Sequence, residues 1–208
     1  TVLRLLDRKD DAVALCDDSL SIDAFNYGCL YEKYLLTADA SLLAQMKTLM
    51  HGAANNYDEV ALDYCAAGRW SDAVALWQFA IGEGAVTAMT YYYMAWSMTN
   101  GGDDATAMFA TAKQASPDYC FPNRLEAILA LETAKQADAT DARAPYYLGC
   151  LYYDKRQYDV AVGNWELSAR LDADFPTVWR NLALAYCNKK GDADKAVACM
   201  ERAFRLDE

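Results

Sequence analysis

Apolar residues recur every three or four positions along almost the whole chain. Runs that alternate apolar and polar residues are scarce, so the period is that of amphipathic helices rather than strands. The stretch YYLGCLYY, residues 146–153, shows the pattern at its densest. At 100° per residue, Leu148, Gly149 and Tyr152 share a face with Pro145, while Tyr146, Cys150 and Tyr153 form a neighbouring stripe. Tyr147 and Asp154 lie further round. The periodicity predicts helices over 10–22, 25–36, 40–51, 55–67, 70–81, 86–99, 104–115, 122–137, 143–155, 158–171, 176–189 and 192–206. Pro122 and Pro176 are expected in the first turns of their helices, where a missing N–H costs nothing, and Gly52 as a C-terminal cap.

The helical pattern repeats itself. Leu148-Gly149 lies 34 residues before Leu182-Ala183, and the same offset carries Tyr152 to Tyr186. The match continues to Ser168 with Ala203 and Leu171 with Leu206 once one inserted residue is allowed in the NKKGD turn. Earlier in the chain, Val60-Ala61, Tyr64, Gly68, Trp70, Ala73, Trp77 and Ala80 follow the same order. So do Met94-Ala95, Met98, Ala105, Phe109 and Ala112. Small residues fall where two helices approach to about 8–10 Å, and large ones fill the space around them.

These positions resemble the tetratricopeptide repeat (TPR), a helix–turn–helix unit. Gly149, Ala161 and Ser168 match its small positions; Leu148, Tyr152, Tyr158 and Trp165 match its large ones. The resemblance implies an all-α fold, a right-handed superhelical solenoid of antiparallel helix pairs. Residues 118–141 supply one helix where a repeat has two, which predicts an irregular junction. The implied organisation is N-terminal TPR-like repeats over 1–117 with the first one truncated, the junction at 118–141, and two C-terminal repeats over 142–208. The stretches FPNRLEAILALETAKQADATDARAPYYLG and FPTVWRNLALAYCNKKGD also look like the TPR region of long bacterial proteins of unknown function. Those carry a β-rich, carbohydrate-associated N-terminal part.

In TPR arrays one stripe of each first helix faces a concave groove. Carried over to this sequence, that stripe holds Tyr92, Tyr93 and Trp96 with Met89 and Thr99. The later repeats add Arg143, Tyr146, Tyr147 and Tyr153 with Cys150 and Asp154, then Arg180 and Asn181 with Thr177 and Leu184. Aromatic and arginine side chains supply large contact area with a polar handle and dominate interface hot spots. The implied function is a non-catalytic scaffold that binds a peptide or a protein domain, which could belong to the same full-length protein; a homo-oligomer is compatible. The second reading is an accessory or oligomerisation module of a carbohydrate-active enzyme whose catalytic domain lies upstream. The carboxylate clamp of chaperone-binding TPR domains is missing, since Leu184 stands where it needs asparagine.

Composition narrows partners and compartment. A net charge of −11 speaks against nucleic acid, whose phosphates need basic surface. Residues 1–140 hold 9 basic and 19 acidic side chains, and residues 141–208 hold 10 and 11. The 7 cysteines are scattered and never spaced CxxC, and the single histidine, His51, falls near a helix end. This reads as small buried thiols in a reducing cytoplasm, with no metal site or cofactor. No run is long enough to span a bilayer and no signal peptide is visible. Thr1 falls inside an already helical pattern, which reads as a piece of a longer protein. Gly82–Gly84 lacks the third glycine of a dinucleotide turn. The aspartate pairs Asp103/Asp104, Asp172/Asp174 and Asp192/Asp194 do not extend into calcium loops, and helix capping accounts for them.

Overall fold

The computed structural model describes residues 1–207, and every regular element among them is helical. The chain divides into two units, Thr1–Ala85 and Val86–Glu208.

The first unit contains α1 (Val2–Leu5), α2 (Lys9–Ile22), α3 (Tyr27–Thr37), α4 (Ala40–Met50), α5 (Ala54–Ala66) and α6 (Trp70–Gly82). Successive helices pack on one another, α2 against α3, α3 against α4 and α5 against α6. Polar side chains set the starts. The Asn26 carboxamide oxygen accepts from the Cys29 N–H at 3.0 Å, and the Asp39 carboxylate accepts from the Ser41 N–H at 2.9 Å. The α5–α6 contact follows the small-and-large pattern read from the sequence, with Ala61, Ala73, Ala80, Leu76 and Trp77 all fully buried. A charged network ties the unit together. Arg4 donates to Glu32 at 2.8 Å and to Asp72 at 2.7 Å, while the Tyr64 hydroxyl donates to Glu32 at 2.6 Å. Burial works to raise the Glu32 pKa, but the bonds from Arg4, Tyr64 and the terminal amine outweigh it and hold the carboxyl at about 2.

The second unit contains α7 (Ala88–Gly101), α8 (Thr106–Gln114), α9 (Glu126–Ala137), α10 (Arg143–Asp154), α11 (Tyr158–Leu171), α12 (Pro176–Ala185) and α13 (Ala193–Leu206). It is built mainly of antiparallel pairs: α7 with α8, α10 with α11 and α12 with α13. Residues 118–141 contribute one helix, α9, which packs against both α7 and α10 through Ala127, Ala130, Leu131 and Ala134, all fully buried. Each helix meets mainly its sequence neighbours, the quasi-one-dimensional packing of a helical solenoid. At Gly149 α10 and α11 approach closely: an added Cβ would stand 2.3 Å from Trp165.

A common device ends the first helix of the pairs. An N–H bonds back to the carbonyl five residues earlier, with a left-handed residue just before it. Arg69 bonds to Tyr64 at 2.8 Å with Gly68 left-handed, and Asp103 to Met98 at 2.9 Å with Gly102 left-handed. Gln157 bonds to Tyr152 at 2.8 Å, and there the left-handed residue is Arg156, φ 61°. The last pair differs. The Asp192 N–H bonds to Tyr186 at 3.0 Å, six residues back, because Tyr186–Lys190 forms a π-helical turn that continues α12. The residue inserted at NKKGD is thus absorbed inside the helix.

Pro176 opens α12 as expected. Pro122 does not open a helix, because α9 begins only at Glu126 and residues 115–125 form a folded loop. His51 lies just beyond α4, where it and Gly52 are both left-handed, at φ 52° and 70°. Among the described residues no helix is long and apolar enough to cross a membrane.

Candidate interaction surface

Most of the rings expected to line a groove are buried. Tyr92 and Tyr147 are fully buried, Tyr93 is 3%, Tyr146 7% and Trp96 9% exposed. They belong to the core of the second unit, so the expectation of an open aromatic groove is corrected at these five positions. Asp141, itself buried, organises the cluster. One carboxylate oxygen accepts from the Arg143 and Ala144 N–H groups at 2.7 and 3.1 Å, capping the start of α10. The other accepts from the Tyr92 hydroxyl at 2.8 Å, joining that start to α7. Burial, and then the nearby Asp141 charge, raises the Tyr92 pKa. Tyr147 stands edge-on to Tyr92 with ring centroids 6.0 Å apart. Its hydroxyl is buried without a hydrogen-bond partner, with the Cys120 sulfur as polar neighbour.

Tyr146 departs from the role read from the helical wheel. Tyr146 packs edge-on to Phe175 at 4.7 Å, and Phe175 precedes α12 rather than lying within a helix. Tyr152, read as packing, is half-buried, whereas Leu151 is fully buried. Arg143 is half-buried with its guanidinium 3.6 Å above the Phe175 ring. Tyr153 is half-buried between Tyr158 and Trp165, at 5.1 and 5.3 Å. Asn181 is half-buried and donates to the Cys150 sulfur at 3.8 Å, and Arg180 is exposed and ion-paired with Asp207 at 2.9 Å. These four polar or edge positions do not join the buried rings in one open lining.

An exposed aromatic pair lies instead on the loop between α8 and α9. There the chain alternates. Tyr119 is 90% and Phe121 77% exposed, whereas Cys120 and Pro122 point inward and are buried. Cys120 anchors the loop against the beginning of α7, beside Thr87 and the backbone of Ala88 and Met89. The Cys120 N–H bonds to the Pro117 carbonyl at 3.3 Å, and Ser116 and Asp118 bond each other. Tyr119 sits in the left-handed region, φ 56°, at a cost of about 1 kcal/mol for a residue with a bulky side chain. This fixed turn holds its ring out at the rim of a cleft of about 800 Å³. Thr87 just before α7, Tyr91 of α7, Ala110 and Gln114 of α8, and Asp118 of the loop are among the wall residues. Leu125 and Leu129, one helical turn apart, add exposed apolar surface at 66% and 55%. Residues 116–121 were expected only as a connection between two helices, and helical periodicity ranks no positions on a connection. The two prolines bracketing SPDYCFPN were the available signal.

Among the described residues no three His, Cys, Asp or Glu side chains are placed to hold a metal ion. Cys16, Cys65, Cys120 and Cys199 are buried, Cys29 and Cys150 half-buried, and Cys187 exposed.

No protein-family model matches the sequence. Among solved structures, the chain is similar to a crystal structure of MamA at 18% identity and a TM-score of 0.39, covering 99% of this chain and 92% of that one. It is similar to a MamA fragment from Desulfovibrio magneticus RS-1 at 18% identity and 0.37, covering 74% and 94%. It is also similar to YrrB, described as a TPR protein with an unusual peptide-binding site, at 13% identity and 0.38, covering 92% and 91%. At such identities and scores no residue role passes from these proteins to this chain.

Proposed function

We propose that the chain is a protein-interaction scaffold whose second unit binds an extended segment of a partner protein, or of its own full-length protein, at the α8–α9 loop. The observation that carries this reading is the pair Tyr119 and Phe121, held outward by a buried alternate pair beside an open cleft. Large exposed aromatics on a fixed backbone lose little entropy on binding, which is why they serve as anchors. The net charge of −11 favours a segment with basic residues beside its apolar ones, drawn in electrostatically.

The test is selection of peptides from a displayed random library on the wild-type chain, followed by affinity measurement on a Tyr119→Ser, Phe121→Ser variant. The selected peptides are expected to be apolar and basic and to lose at least about tenfold in affinity on the variant, as removal of two hot-spot side chains implies. Thermal melting should hardly change, because both rings are solvent-exposed. Equal affinity for wild type and variant would place the binding elsewhere.

A further inference from the structure

Cys16 and Cys29 lie on α2 and α3, two helices packed side by side in the first unit and joined by a short turn. That turn is fixed at both ends. The Asn26 carboxamide donates to Ser19 on α2 at 2.9 Å and accepts from the N–H of Cys29 itself at 3.0 Å. Both cysteines form part of the wall of one open cleft of about 640 Å³. Leu15 and Ile22, 62% and 88% exposed, stand with Val2 along the same cleft. The two thiols are polar neighbours. Burial, and then the proximity of Cys29, pushes the Cys16 pKa up to about 11. Cys16 is 6% exposed and Cys29 half-buried, so a reagent entering the cleft meets Cys29 first.

We propose that Cys16 and Cys29 form a redox-active pair that closes into a disulfide across the wall of this cleft, with a low-molecular-weight disulfide of the glutathione type as oxidant. The Cys29 thiol gives up its proton to solvent, and its sulfur attacks one sulfur of the oxidant. The S–S bond of the oxidant breaks, a mixed disulfide forms on Cys29, and one glutathione leaves as thiolate. The Cys16 thiol then loses its proton, attacks the Cys29 sulfur and expels the second glutathione. Two electrons pass from the cysteine pair to the oxidant, which is reduced to two thiols. The product ties α2 to α3 and narrows the cleft between them, so the accessibility of this surface follows the thiol balance of its surroundings.

The native chain is incubated with glutathione disulfide, its remaining thiols are alkylated, and the linkages are mapped by mass spectrometry. The expected result is a Cys16–Cys29 cross-linked peptide and a count of free thiols at these positions that falls by two. Cys16→Ser should trap the glutathionyl adduct on Cys29, and Cys29→Ser should leave Cys16 reduced. Exposed Cys187 reports that the reagent is active. The oxidised protein should melt several degrees higher than the reduced one and return to the lower value with dithiothreitol, because the link constrains the unfolded chain. Full alkylation of both cysteines in the native protein would overturn the proposal. So would a cross-link that appears only in denaturant, or an adduct that stays on Cys29 in the wild type without resolving.

Discussion

The contact between Gly149 and Trp165 permits a prediction of sign and size. An alanine at 149 sets its Cβ 2.3 Å from Cδ1, 2.4 Å from Nε1 and 2.8 Å from Cγ of the indole. Carbon atoms prefer separations of about 3.5–4.0 Å, so the ring must move by more than about 1 Å. Trp165 has little room, being 3% exposed, with the Tyr153 ring tilted against it at 5.3 Å and its Nε1 bonded to the Tyr146 carbonyl at 3.2 Å. Overpacking of a filled core costs about 1–3 kcal/mol. Losing the indole hydrogen bond adds about 1 kcal/mol. Alanine in place of glycine within a helix returns about 1 kcal/mol. The net loss is about 2 kcal/mol, which lowers Tm by about 4–8 °C in a chain of this size. Gly163, on α11, is the control: it is exposed, and nothing lies within 4 Å of its added Cβ. Gly163→Ala should raise Tm by a few degrees through helix propensity alone. The assay is thermal unfolding by far-UV circular dichroism, with tryptophan fluorescence as a second probe. If Gly149→Ala melted at or above the wild-type temperature, as Gly163→Ala is expected to, the close approach of α10 and α11 would be refuted.

Arg156 occupies a left-handed position where Gly68 and Gly102 stand in comparable turns. Arg156→Gly should stabilise by about 0.5–1 kcal/mol, the relief of strain exceeding the added freedom of the unfolded chain, and calorimetry should record a Tm about 1–4 °C higher. Glu32 is held at about 2 in the folded protein, below its ordinary unfolded value near 4.3. Between those values the unfolded state binds more protons, so this stability is complete above the unfolded pKa and disappears as pH falls through the folded one. Urea unfolding of wild type and Glu32→Gln from neutral pH down to pH 2 should show their difference shrinking below about pH 4.5; a difference independent of pH would contradict the Arg4–Glu32–Tyr64 network.

Helices, their order and the small residue at 149 were legible because each is a local pattern. The inserted residue at NKKGD was legible as a break in an offset, although its π-helical form was not. Tyr146 and Tyr152 show where the wheel stops. It ranks faces of one helix, but Tyr146 is covered by Phe175, which belongs to no helix and sits 29 residues on. Tyr92, Tyr93, Trp96 and Tyr147 failed as groove residues for the same reason. α9 packs against α7 and α10, the helices that carry these rings, and the buried carboxylate of Asp141 binds Tyr92; no position within a single repeat encodes those contacts. Asp141 itself stood two residues ahead of a correctly placed helix start, the usual place for a capping side chain, and could have been singled out on that ground. The outward pair Tyr119 and Phe121 fell in the expected connection between the helices at 104–115 and 122–137, where helical periodicity ranks no positions, and Pro122, expected to open a helix, lies in an extended segment instead. Proline is equally at home in the extended segment it occupies here.

The π-helical turn at Tyr186–Lys190 bears on how such a chain changes length. An extra residue in a connection is ordinarily looped out, where it alters the reach between two helices. Here it widens one turn of backbone, and α13 still meets α12 with Ala196 and Ala203 inward. Length variation can therefore enter this architecture without displacing the next layer, and a one-residue difference between repeats is a local change of pitch rather than a break in the array.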